Sequence, residues 1–266
     1  VQNSNSPDGL AAVDPAAASV LVLDFDGTVC LGDGPVWAYA NAAFGRINDV
    51  RATHQMRERL TTFLSAGARA AAYKDGYFAV ADLAAAHLDA DALDAAYAES
   101  RQALATLPGD VRAPEGLHDF LDQFDNVARV LVTNAPYDGV TETLATLGLT
   151  DVIDAIIADA KKPAGFRDLL PRLRDGRPAS HLLSVGDVYD NDIAIPLESG
   201  CATAFINRFG HNPGPSHLHG ARFEEMYDGI HAWARDPEQF LRSRPLPTPY
   251  ARQPHPSATA PAKDQP

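Results

Sequence analysis

The sequence predicts a doubly wound α/β sheet, parallel throughout, with an all-helical module inserted after its first strand. Three observations carry this. Short apolar runs alternate with helix-period segments along most of the chain. The runs Val20–Phe25, Val127–Thr133 and Leu182–Gly186 are close to continuously apolar, as strands buried on both faces of a parallel sheet must be. Between Leu31 and about Leu107 there is no convincing strand, but there are four amphipathic helical stretches.

The elements follow in order. Residues 1–17 mix Asn, Ser, Pro, Asp, Gly and Ala without a sustained period and read as a loose, disordered tail. The core domain is expected at 18–31 and 108–242, and its first strand is Val20–Phe25. The helical cap domain is expected at 32–107, with helices near 35–44, 50–66, 76–88 and 91–104. Met56, Leu60, Phe63 and Leu64 share a face in the second helix, Tyr77, Val80, Ala84 and His87 in the third, and Leu93, Tyr97, Ser100 and Leu104 in the fourth. Each stripe needs a partner, so the four helices should pack as a small bundle. Pro108-Gly109 marks the return to the core. Gly and Pro at both crossings make Leu31–Gly34 and Leu107–Asp110 the expected two-strand hinge of a lid. The remaining strands are Val127–Thr133, Ala155–Ala158, Leu182–Gly186 and Ala202–Ile206. Helices lie between them, for example Tyr137–Leu147, where Val140, Leu144 and Leu147 recur after Asp138. This alternation describes a Rossmann-like sheet. Residues 243–266 are Pro-rich and expected to be disordered.

Composition narrows the function classes. No stretch approaches the roughly eighteen uninterrupted apolar residues of a membrane helix. Val1–Ser19 has no basic region before its Ala-rich part and does not read as a secretory signal. A formal net charge of −13 disfavours a nucleic-acid partner. The two cysteines, Cys30 and Cys201, lie far apart without metal-type spacing, which points to a reducing, cytoplasmic setting.

The chemistry is concentrated at strand ends. Asp24-Phe25-Asp26-Gly27-Thr28 directly follows the run Val20–Leu23. Carboxylates at i and i+2 leave a strand on the same side, and two such charges together call for a counter-cation. An ordinary Asp-Gly turn would explain the glycine but not the pair. Gly186-Asp187-Val188-Tyr189-Asp190-Asn191-Asp192 follows Leu182–Val185, and three aspartates within six residues suit a hard divalent cation. A helix N-terminus with acidic first-turn residues accounts for one or two of them. Thr133-Asn134 ends the second strand, where a hydroxyl and the following backbone N–H can hold a phosphate oxygen. Lys161-Lys162-Pro163 follows the third strand in a chain with four lysines, and a lysine there can neutralise developing charge. These positions all fall at the C-terminal edge of the sheet, where open α/β sheets bind ligands.

With these motifs the chain resembles the haloacid dehalogenase superfamily of hydrolases over about residues 18–235. Asp24–Thr28 matches its first motif, Thr133 the second, Lys162 the third, and Asp187 with Asp192 the fourth. The helical insertion after the first motif is similar to the family's first cap type. The resemblance implies a Mg²⁺-dependent phosphomonoester hydrolase of small phosphorylated metabolites. Asp24 would be the nucleophile that becomes a phospho-aspartate, and Asp26 the general acid and base. Asp24, the Asp26 carbonyl and Asp187 would hold the metal. Thr133, Asn134 and Lys162 would hold the phosphoryl oxygens, and Asp192 or Asn191 would orient Lys162 or metal-bound water. The following Pro163 favours Lys162 over Lys161 for the third motif. Among Asp190, Asn191 and Asp192 the orienting residue stays open.

Dehalogenases and phosphonoacetaldehyde hydrolases of the superfamily lack an acid/base Asp two residues after the nucleophile, so Asp26 argues against both. A phosphomutase keeps both aspartates and is the alternative. A non-catalytic phospho-acceptor of the response-regulator kind has similar edge residues but no helical insertion. His211, His217 and His219 sit in a Pro/Gly-containing stretch without an acidic neighbour and read as a surface loop. Substrate specificity is expected from cap residues facing Asp24, with Arg69, Tyr73 and Lys74 as candidates.

Overall fold

In the computed structural model residues 9–66, 73–106, 110–211 and 213–246 are described. Six strands form one parallel sheet: β1 (Ser19–Leu23), β2 (Val127–Val132), β3 (Ala155–Ile157), β4 (Leu182–Gly186), β5 (Ala202–Ile206) and β6 (Leu218–Gly220). Their order is β3-β2-β1-β4-β5-β6. β1 is therefore central, with Leu21 paired to Arg129 on one side and Leu183 on the other. All five of its residues are buried, because the strand has neighbours at both edges and helices over both faces.

The two-residue period of the strands sorts the core into two layers. Leu21, Leu23, Leu131, Leu183 and Val185 face one side. There they meet α5 (Leu117–Asp122), α6 (Val140–Leu147), α10 (Tyr227–Arg235) and α11 (Pro237–Ser243), which contribute Phe120, Leu144, Trp233 and Phe240 among others. Val20, Val22, Val130 and Val132 face the other side, against Phe166, Leu169, Leu170 and Leu173 of α7 (Phe166–Arg174). Two short helices, α8 (Tyr189–Asp192) and α9 (Ala194–Glu198), follow β4.

The insert between β1 and β2 is helical: α1 (Gly34–Phe44), α2 (Val50–Ala66), α3 (Gly76–Ala84) and α4 (Ala90–Thr106). Its buried cluster includes Met56, Leu60, Phe63 and Leu64, the stripe expected for α2, together with Tyr39, Phe44, Val80 and Leu83. Phe209, which follows β5 in the core, joins this cluster and stacks on Phe63 at 4.7 Å between ring centroids. The two crossings are tied where Leu31 and Arg112 exchange backbone hydrogen bonds of 2.8 and 2.9 Å. Gly32 beside them has φ 120°, and a Cβ there would collide with the Asp110 carbonyl. Residues 107–109 of the expected hinge lie outside the described residues.

Several expectations need correction. Residues 9–17 are not a loose tail: Gly9–Ala12 forms a 3₁₀ turn against β3, and Leu10 and Val13 pack on the sheet. The Arg177 guanidinium donates to the Asp14, Pro15 and Ala17 carbonyls and holds the segment down. The histidine stretch contains the edge strand β6, whose three residues are too few to show alternation. α3 stops at Ala84 because the His87 and Leu88 N–H groups both turn back onto the Ala84 carbonyl. His87 is accordingly exposed instead of continuing the stripe. α6 starts at Val140, not near Tyr137, with Gly139 at φ 88° ahead of it. Most of 243–266 lies outside the described residues.

Candidate active site

Asp24 follows β1, the central strand, and its N–H donates to the Val185 carbonyl of β4 at 3.0 Å. Thr133 follows β2 and Asp187 follows β4. The three are thus delivered to one edge by adjacent parallel strands, at the switch point where the strand order reverses. After Phe25 the chain makes a tight turn, in which the Val29 and Cys30 N–H groups both donate to the Phe25 carbonyl. Gly27 stands in this turn at φ 79°, and a Cβ there would fall on the Asp187 carboxylate. The glycine is what lets Asp187 approach the loop carrying Asp26.

Lys162 is buried and joins two carboxylates: its Nζ lies 2.7 Å from Asp24 Oδ1 and 2.7 Å from Asp192 Oδ1. Lys161 is exposed, so of the two neighbours it is Lys162 that reaches the aspartates. Asp190 is also exposed, so Asp192 is the residue that orients the lysine. Its Oδ2 accepts from the Val188 N–H at 3.1 Å. Asn191 lines the cavity without contacting Lys162 through any described hydrogen bond. The role expected of Asn134 uses its backbone N–H, and its side chain serves another. Its amide clamps the Lys162 main chain, Oδ1 accepting from the Lys162 N–H at 2.6 Å and Nδ2 donating to the Lys162 carbonyl at 2.9 Å. Its side chain is thus a positioning group, and only its backbone N–H remains for a phosphate. Thr133 Oγ1 accepts from the Ala135 N–H at 3.0 Å, which leaves the hydroxyl proton available to a ligand.

One carboxylate oxygen from each of Asp24, Asp187 and Asp192 lies within 4.8 Å of the others. On formal charges this is three negatives against the one ammonium of Lys162, an excess that a dication would cancel. Asp187 Oδ1 is buried without a hydrogen-bond partner, and a buried acceptor in that state is costly unless something fills it. An all-oxygen donor set fits a hard cation such as Mg²⁺. Burial pushes the Asp24 carboxyl up to about 7, with Lys162 opposing and Asp192 reinforcing. Burial, then the Asp24 charge, raises Asp187 well above the usual carboxylate range.

These shifts have a measurable consequence. A carboxyl whose folded pKa is raised binds its proton more tightly folded than unfolded, so its contribution to stability is lost as pH rises from about 4 through about 7. A cation needs the ionised form and competes with that proton. Mg²⁺ should therefore raise the melting temperature at pH 8 and have little effect at pH 5. At 100 Kd of metal the gain is about 2.7 kcal/mol, or roughly 5–10 °C for a chain of this size. An identical melt with Mg²⁺ and with chelator at pH 8 would contradict the metal site.

Asp26 stands apart from this cluster. Its Oδ2 accepts from Arg101 Nη2 at 2.6 Å, and its Oδ1 accepts from Arg101 Nη1 at 3.3 Å and from the Tyr77 hydroxyl at 3.0 Å. Arg101 comes from α4 and is buried, its guanidinium 5.0 and 4.9 Å from the Tyr77 and Tyr97 ring centroids. The sequence reading missed Arg101, although it follows Tyr97 by four residues and so shares the stripe assigned to that helix. Of the residues proposed for specificity, Tyr73 accepts from Arg59 and packs within the insert. Lys74 is exposed beside the Phe78 ring, and Arg69 lies outside the described residues. Neither Tyr73 nor Lys74 lines the cavity. The cavity, about 270 Å³, lies between Asp24, Asp187 and Thr133 below and Tyr77, Tyr97 and Arg101 above. His217 is engaged away from this site: its Nδ1 contacts Thr203 Oγ1 at 3.0 Å, and burial pushes the ring down to about 4.

No known protein family profile matches the chain, and no curated protein matches it in sequence. Solved structures do. A haloacid dehalogenase-like family hydrolase from Xanthomonas campestris is 17% identical, with 85% of this chain and 96% of that chain covered and a TM-score of 0.50. YfnB of Bacillus subtilis, described as a HAD-hydrolase and bound to magnesium, is 15% identical, with 81% and 99% covered and a TM-score of 0.53. A protein from Haemophilus somnus described as a phosphoglycolate phosphatase is 16% identical, with 81% and 98% covered and a TM-score of 0.53.

Proposed function

We propose that this chain, which has the fold of the haloacid dehalogenase-like hydrolases, is a divalent-metal-dependent phosphomonoester hydrolase of small phosphorylated metabolites. The observation that carries the reading is Asp24 joined to Lys162 at the centre of the C-terminal sheet edge, with Asp187 and Asp192 beside it. Lys162 holds Oδ1 of Asp24, and Thr28 Oγ1 donates to Oδ2 at 3.3 Å, so the carboxylate is fixed facing the cavity. In the first step an Asp24 oxygen bonds to phosphorus and the bond to the leaving oxygen breaks, while Asp26 supplies that oxygen's proton. In the second, water attacks the phospho-aspartate, its proton passes to Asp26, and the bond between phosphorus and Asp24 breaks. Lys162 and the Thr133 hydroxyl stabilise the phosphoryl oxygens. Asp24 and Asp187 would hold a cation such as Mg²⁺, which when bound supplies charge neutralisation at the phosphoryl group.

The small cavity fits a metabolite better than a macromolecule. No helix among the described residues is long and apolar enough to cross a membrane. The resemblance to the superfamily adds that Asp26 occupies the position that its dehalogenases leave without an acid/base group. The test is turnover of p-nitrophenyl phosphate with Mg²⁺ and with chelator, with product analysis. Chelation should cost at least ~10²-fold, reversed by Mg²⁺. Full turnover in chelator overturns the metal requirement. Isomerisation of a sugar phosphate without phosphate release from it or from p-nitrophenyl phosphate, or halide release from a 2-haloacid alone, overturns the phosphatase.

A further inference from the structure

The proton donor assigned above is not free to act in the arrangement observed. Both Asp26 oxygens accept from Arg101, and one also accepts from Tyr77. For Asp26 to reach a leaving oxygen, something else must take the guanidinium. Arg101 is only 6% exposed, so a neutral replacement would leave a buried cation without a counter-charge. An anion would exchange one charge-assisted pair for another at little cost. Three observations favour that exchange. Arg101 lines the same cavity as Asp24. Its Nε is buried and has no hydrogen-bond partner, so the guanidinium has donor capacity that Asp26 does not use. The Tyr77 and Tyr97 rings flank the guanidinium, and the Tyr77 hydroxyl accepts from Arg101 Nη2 at 2.7 Å, contacts that do not require Asp26 as the anion.

We infer that Arg101 is the specificity-determining residue for a carboxylate carried on the leaving-group side of the substrate, and that binding of this carboxylate releases Asp26 for proton transfer. The group that Arg101 holds in the free enzyme is itself a carboxylate, which matches its planar fork. The inference rests on Asp26 being the proton donor of the proposed phosphatase.

Two comparisons test it separately from that reading. The first is binding, by calorimetry, of 3-phosphonopropionate against propylphosphonate, neither of which can be hydrolysed. The second is kcat/KM for carboxymethyl phosphate against 2-hydroxyethyl phosphate. Wild type should favour the carboxylate ester by about 10²–10³-fold in kcat/KM, because turnover of the neutral ester needs Asp26 released and the buried guanidinium left unpaired. It should bind the carboxylate phosphonate more tightly by a smaller factor, since Arg101 keeps Asp26 when the neutral ligand binds. Arg101→Gln should collapse both ratios to within about threefold, and Arg101→Lys should restore part of them. Each ratio is taken within one preparation, so partial unfolding of a variant does not affect it. Equal binding of the two phosphonates by wild type overturns the assignment whether or not any ester is hydrolysed. So does an Arg101→Gln protein that keeps the wild-type ratios, in which case Arg101 only fastens the cap. A phosphonate preference with no ester hydrolysis leaves the anion site standing and removes the phosphatase.

Discussion

Asp24→Asn should lose at least ~10³-fold in turnover of any phosphomonoester, because the amide cannot form the covalent intermediate. The fold should survive the change. Asn keeps an oxygen to accept from Lys162, and Lys162 keeps its second partner, Asp192. It also removes one of three crowded carboxylates, so metal-free Asp24→Asn should melt no lower than wild type at pH 8. Circular dichroism and melting curves alongside phosphate release check both halves. Wild-type-like turnover by Asp24→Asn would end the nucleophile assignment.

Asp26→Asn should give the second large effect, and its size should depend on the leaving group. Proton transfer typically contributes about 10²–10⁴-fold, so an alkyl phosphate should be nearly inert with this variant. An aryl phosphate, whose leaving oxygen needs little protonation, should partly recover in the first step. Deprotonation of the attacking water stays impaired, so the second step becomes limiting. The substitution also leaves Arg101 without its carboxylate, which carries its own stability cost. The ratio of aryl to alkyl turnover in one preparation separates the chemistry from that cost. A uniform loss across leaving groups would mean that Asp26 acts by structure and not by proton transfer.

The parts of the molecule that could be read from the sequence are those with strong local patterns. β1, β2 and β4 are apolar runs buried on both faces, and their ends carry Asp24, Thr133 and Asp187 directly into the site. The stripe of α2 was legible for the same reason: four large apolar residues fall at helical spacing and all are buried. What escaped depends on tertiary context. Leu10 and Val13 form no period, yet Arg177 secures their segment through backbone carbonyls 160 to 163 positions away in the chain. β6 exists because β5 offers an edge to Leu218–Gly220, which three residues cannot announce. The Asn134 side chain escaped as well: sequence order placed its backbone N–H beside Thr133, but not its amide, which clamps the Lys162 backbone from another loop. Arg101 is the sharpest case. Sequence patterns treat a charged residue as a break in an apolar stripe, so its pairing with Asp26 across the cavity was invisible without the fold.

The central claim is a covalent phosphate on Asp24, and the Asp26→Asn variant offers the most direct view of it. With Mg²⁺ and an aryl phosphate, that variant should accumulate the intermediate, since its second step is the slower one. The sample is quenched in acid, digested and read by mass spectrometry. The expected result is a phosphate adduct on the peptide containing Asp24, absent from the Asp24→Asn protein treated in the same way. An adduct on any other residue, or steady aryl phosphate turnover with no adduct at Asp24 at any time point, would contradict the mechanism.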